Sequence, residues 1–179
     1  VRLLATIAGY SVEKRESEPA APYDRGMTLK DLITAYEAAT VDFLAAAKTL
    51  REEDLDKAPE GEWSARMVVH HLAHADAYCL TRIIQVLSEP GTQIRSFSEE
   101  ALAGSEVLAY RSAPIQPSLA LFAATRGETL RLLKNATDAD LARTCTHSEY
   151  GAVTLEKMIT LFTDHPQGHI QQILDAVKN

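Results

Sequence analysis

An all-α four-helix bundle, with a long crossover between its second and third helices, is the fold that this sequence predicts. Three observations predict it. Long stretches carry apolar residues at helical spacing. Each opens on a recognisable capping or first-turn residue. No segment shows the alternating pattern of a strand. The 179 residues suit one domain. A content of 46% hydrophobic and 24% charged residues is that of an ordinary globular chain.

Residues 1–26 stand apart. They end in Ser17-Glu18-Pro19-Ala20-Ala21-Pro22, which has no period and reads as a loosely packed arm ahead of a bundle domain over 27–179. The first helix opens at Thr28, with Asp31 three residues on in a capping-box arrangement. Leu29, Leu32, Ile33, Tyr36, Phe43, Leu44, Ala47 and Leu50 mark its apolar face. A polar link with Pro59 and Gly61 follows. The second helix takes Ser64 as its N-cap and runs to about Leu87. Ser88 to Gln116 is a long connection, punctuated by Pro90-Gly91 and Pro114, with a short helix near Ser98. The third helix has Pro117 in its first turn and continues through Phe122, Leu130 and Leu133 to Asn135. The fourth starts near Thr154 and runs through Met158, Phe162, Ile170 and Ile173 to Val177. An internal echo links the halves. Glu53-Asp54-Leu55 precedes a loop and the cap Ser64, as Ala139-Asp140-Leu141 precedes a loop and Thr154. Two similar helical hairpins, joined so that the second and third helices run parallel, explain it as well as chance reuse of the same turns does.

Charge narrows the function. Eighteen basic against 25 acidic residues leave a net charge of −7. A nucleic-acid partner needs a clustered Lys/Arg surface, and polybasic membrane docking needs the same. No apolar run reaches the roughly 20 residues of a spanning helix. The apolar start at Val1 runs straight into Glu13-Lys14-Arg15-Glu16 without a cleavage pattern, so a cytoplasmic protein is expected. Cys79 and Cys145, one in a helical pattern and one in a loop, could pair but do not imply a disulfide.

The histidines carry most of the information. Five of the six fall in the second and fourth helices: His70, His71, His74, His165 and His169. Val68, Leu72, Ala75, Cys79, Ile83 and Val86 set the buried stripe of the second helix. At about 100° per residue, His71 lies roughly 75° from its centre, His74 roughly 135°, and His70 almost opposite. His71 is therefore expected at the core's edge and His70 in solvent. On the fourth helix His165 and His169 lie roughly 80° and 40° from the stripe centre. Four residues apart, both imidazoles can reach one cation. Three histidines leaning inward from two facing helices match the open three-ligand metal pattern. A core or hydrogen-bonded role for each is the plain alternative.

At these residues the chain resembles the DinB-like superfamily of YfiT-like metalloenzymes. Trp63-Ser64 followed by His71-Leu72-Ala73 is similar to its opening signature. Ser148-Glu149-Tyr150-Gly151 leading to Val153-Thr154-Leu155 is similar to its loop into the last helix. His165, His169 and Gln172-Ile173 are similar to its H-x-x-x-H-x-x-Q-I ending. The resemblance covers about residues 28–177. It implies a four-helix bundle, commonly a homodimer, with a divalent transition metal (Zn, Ni, Fe or Mn) on His71, His165 and His169. It also implies either a hydrolase or a transferase using a low-molecular-weight thiol. His74 stands where relatives carry an acidic residue, as a further ligand or a residue behind the ligands. Pro166 removes a backbone donor, and a kink there would re-aim His165.

Other residues complete the expectation. Tyr78 and Arg82 follow His71 on the same side of the second helix and could line a pocket for an anionic substrate, or Arg82 could simply lie along the surface. Cys145 with His147 reads as a buried thiol and a loop histidine rather than a nucleophile pair, with His147 kept as a pocket residue. Trp63 reads as a packing anchor. The expected function is a metal-dependent enzyme acting on a small molecule. Metal-activated water makes it a hydrolase, and a metal-activated thiol makes it an S-transferase. A metal-binding stress protein without turnover is the third class. Part of Ser88–Gln116 is expected to cover the mouth of the site.

Overall fold

The structure is a computed structural model and describes residues 27–176. The expected arm, 1–26, and Val177 lie outside the described residues. Four long helices form the bundle: α1 (Leu29–Ala47), α2 (Ala65–Ser88), α4 (Ile115–Lys134) and α5 (Leu155–Ala176). A short α3 (Glu99–Gly104) sits in the crossover, near the expected Ser98. The echoed motifs take the same form. Glu52–Asp54 and Asp138–Ala142 are both short pieces of 3-10 helix.

The caps act as their chemistry dictates. Thr28 accepts from the Asp31 amide, while the Asp31 carboxylate accepts from the Thr28 amide, closing a capping box. The Ser64 hydroxyl accepts from the Met67 amide at the head of α2. The Thr154 hydroxyl accepts from the Lys157 amide at the head of α5.

One expectation fails here. A small sheet exists, with β1 (Gln93–Ile94) parallel to β2 (Thr144–His147) and β2 antiparallel to β3 (Gly151–Thr154). The β2–β3 turn closes through Gly151 at φ +68°, a conformation suited to glycine. Each strand is too short to show more than two periods of alternation. In β2 only Cys145 and His147 are buried.

Two apolar clusters make up the core. One gathers Leu32, Tyr36, Cys79, Ile83, Leu133 and Ile159; the other gathers Phe43, Leu72, Ala65, Phe122 and Ile173. The first holds the starts of α1 and α5 and the ends of α2 and α4, and the second holds their opposite ends. So α1 and α5 run parallel, α2 and α4 run parallel, and the two pairs oppose each other. Each of α1 and α2 packs against both α4 and α5, which sets consecutive helices α1 and α2 on diagonal corners. The crossover makes this possible by returning along α2. Arg82 donates to the Arg95 carbonyl, Tyr78 stacks on Phe97, and Arg66 donates to the Ala113 carbonyl. Among the described residues no helix is long and apolar enough to cross a membrane.

Candidate metal centre

His71 comes from α2, and His165 and His169 come from successive turns of α5. Their imidazoles converge. His71 Nε2 lies 3.1 Å from His165 Nε2, and His169 Nε2 lies 3.2 Å from the same atom. His71 is 2% exposed and His165 8%. Around a tetrahedral cation with M–N bonds of about 2.05 Å, ligand nitrogens stand about 3.3 Å apart. The two spacings to His165 match that, and all three ligand atoms lie within 4.8 Å of one another. One neutral imidazole nitrogen has a single lone pair or a single proton. It cannot satisfy two Nε2 neighbours well, whereas a cation among the three would.

The surroundings suit neutral imidazoles. Burial, with the nearby His169 and His74 adding to it, pulls His71 down to about 3. Burial also lowers His165 well below the usual imidazole range and lowers His169. The His169 Nδ1 proton is placed by the Gln172 amide oxygen at 2.7 Å, which leaves the Nε2 lone pair facing the other two rings. The edge of Trp63 meets His71, and that of Phe162 meets His165. Buried His71 Nδ1 has no hydrogen-bond partner.

Helix α5 runs through Pro166 without a break, and His165 sits centrally between the other two rings. The re-aiming of His165 that a kink at Pro166 could cause is not seen. The expectation for His70 is overturned. It is 3% exposed, with Nδ1 at 2.7 Å from the Ser118 hydroxyl and Nε2 at 3.1 Å from the Ala113 carbonyl. The first turns of α2 are covered on the outer side as well, by the end of the crossover and the start of α4. A single stripe direction therefore misjudges them.

His74 is outside the three-histidine group; its Nδ1 pairs with the Tyr110 hydroxyl at 2.7 Å. Tyr110 also packs on His70. The crossover thus lies beside the histidines next to His71, not at the far end of the bundle. Tyr78 and Arg82 continue along α2 away from the triad, both against Phe97. His147 accepts from the Glu149 amide and stacks on Tyr150. Cys145 is buried, its thiol is pushed up by burial, and it faces the Val153 carbonyl; Cys79 and Cys145 are both free. Sequence reading passed over Tyr110, Ser118, Asp76 and Arg126. The last two had a signal: a charged residue standing in each helix's apolar stripe.

A family profile for the DinB superfamily matches residues 35–173. The chain belongs to the DinB superfamily. Relatives match this chain over most of its length. A "Putative metal-dependent hydrolase" of Geobacillus thermodenitrificans is 31% identical over 156 residues, 86% of each chain. The similarly named YfiT of Bacillus subtilis is 30% identical over 145 residues, 80% of each chain. The solved structure of YfiT, described as a probable metal-dependent hydrolase with an unusual four-helix bundle topology, superposes with a TM-score of 0.77. That match is 24% identical and covers 97% of each chain. An uncharacterised protein of Escherichia coli UTI89 shares the fold at a TM-score of 0.63 and 18% identity, over 85% of this DinB chain and 94% of its own.

Proposed function

We propose that this DinB-superfamily chain is a metal-dependent hydrolase of a small molecule, with His71, His165 and His169 holding a divalent transition cation through Nε2. The convergence of three histidine ligand atoms within 4.8 Å of one another carries the reading. The names of the relatives support it. When bound, such a cation supplies Lewis acidity and brings the pKa of a coordinated water or thiol toward neutrality. The chain's own residues do the rest. His71, His165 and His169 would hold the cation as neutral imidazoles, which bring no negative charge to the site. Gln172 fixes the His169 tautomer. Trp63 and Phe162 pack edge to face against the His71 and His165 rings and help to hold them in place.

The test is elemental analysis of tag-free protein, followed by metal affinity and hydrolysis of ester and amide panels with and without a chelator. One equivalent of metal and chelator-sensitive hydrolysis are expected. His71→Ala, His165→Ala and His169→Ala should each lower affinity about a hundredfold or more, as expected when a ligand is lost from a three-ligand site. Unchanged affinity in any of the three overturns the ligand set. Turnover of an electrophile only when a low-molecular-weight thiol is added assigns the S-transferase instead. Stoichiometric metal with neither activity assigns a binding protein.

A further inference from the structure

Pro166 lies inside α5, between two of the triad histidines. It has no amide proton, so the carbonyl four residues back, that of Phe162, loses its helical donor. A carbonyl left unpaired inside a bundle is costly. The Arg126 guanidinium of α4 supplies the missing donor, with Nη1 at 2.9 Å from the Phe162 oxygen. Arg126 has no solvent exposure and lies over the Tyr36 ring, 3.7 Å from its centroid. The same Nη1 donates to the Asp76 carboxylate of α2 at 3.0 Å. Nε donates to the Thr40 hydroxyl at 2.6 Å, and Nη2 donates to the Tyr36 carbonyl at 3.2 Å, both on α1. One guanidinium therefore bonds to each of the other three long helices. Two of those helices carry the triad. His165 is three residues beyond Phe162, and the two rings meet edge to face.

We infer that Arg126 is a positioning residue: it stands in for the Pro166 amide and holds the turn of α5 that points His165 at His71 and His169. A buried arginine in a bundle core needs its partners, and a well-packed apolar side chain would serve stability as well. What an apolar side chain cannot do is satisfy the proline-freed carbonyl while tying it to α2. A lysine fails as well, because one ammonium cannot span Thr40, Asp76 and Phe162 as the planar fork does. The inference rests on the proposed metal site for its affinity readout only.

The test is a double-mutant cycle in the full chain with Arg126→Met, Arg126→Lys and Pro166→Ala. The Pro166→Ala change restores an amide that can bond the Phe162 oxygen. Cobalt(II) affinity and its visible spectrum are read alongside unfolding of the metal-free protein. In the proline background, both Arg126 variants should lower cobalt(II) affinity about tenfold or more and alter the visible bands, the scale expected for groups that orient metal ligands. In the Pro166→Ala background the same change should cost less than about threefold, because the freed carbonyl is then paired within the helix. The unfolding equilibrium constant of the metal-free chain should show the same non-additivity. Equal affinity losses in both backgrounds overturn the inference, as does a destabilised Arg126→Lys protein with wild-type affinity and spectrum. Should Arg126→Met fail to fold, the lysine arm decides. Should the wild-type chain bind no cobalt(II), the metal reading falls. The unfolding arm then decides alone, and additive losses overturn the inference.

Discussion

At the scale of single residues, the site depends on which nitrogen each histidine presents. His169 is fixed by Gln172, and His70 is fixed by Ser118 and Ala113, yet only the first faces the triad. Histidines within one bundle thus take different work. His70→Ala should cost about 1–3 kcal/mol of stability, because it leaves buried partners unpaired, and should leave metal affinity within about twofold. Denaturant unfolding and a metal titration of the same sample check both halves; a loss of about tenfold in affinity would place His70 in the metal's surroundings. The convergence of His71, His165 and His169 was legible because their spacing and inward lean need only the helical period. The burial of His70 was not, because it depends on Ala113 and Ser118, 43 and 48 residues away in the chain. Arg126 was equally hidden. A charged residue in an apolar stripe signals burial but does not name Asp76 and the Phe162 carbonyl as its partners.

At the scale of elements, local chemistry decided most of the outcome. Thr28, Ser64 and Thr154 cap the helices they were expected to cap. Thr28→Ala should remove the capping box and destabilise the protein by about 1 kcal/mol. Urea denaturation reads this directly, and a loss below about 0.3 kcal/mol would mean that tertiary packing alone fixes the start of α1. The sheet escaped because it is held by pairing between distant segments. Thr146 donates to the Thr92 carbonyl and Ser148 to the Ile94 carbonyl, joining the crossover to the approach to α5. A two-residue β1 cannot announce that by its own side chains.

At the scale of the whole molecule, the proposed metal site ties ligand binding to the fold, because the triad joins residues 94 apart in sequence. A ligand that binds only the folded chain stabilises it by mass action. Chelation should therefore lower the melting temperature by several degrees, and metal titrated back should restore it; an unchanged midpoint would contradict the linkage. Acid should act on the metal-free chain in a defined direction. His71 sits at about 3 against 6.5 for an ordinary imidazole, and His165 and His169 are also lowered, all chiefly by burial. Between those values the unfolded chain binds more protons, so stability should be full above about pH 6.5 and fall as pH drops toward about 3. Asp76 and Glu99 oppose this, since burial raises both carboxyls, that of Asp76 to about 6, but all six histidines are lowered. A urea midpoint that rises on acidification from about pH 7 to about pH 4 would contradict the balance. The diagonal placement of α1 and α2 also bears on how fast the chain folds. In an up-and-down bundle each helix meets its neighbour in sequence, and short loops close early. Here α1 packs chiefly against α4 and α5, at the other end of the chain. Long loops must close before any apolar face is rewarded, and rate falls as contacts become less local. Refolding should therefore run slower than in up-and-down bundles of similar length and stability, and the cluster of His71, His165 and His169 can assemble only after α2 and α5 have met.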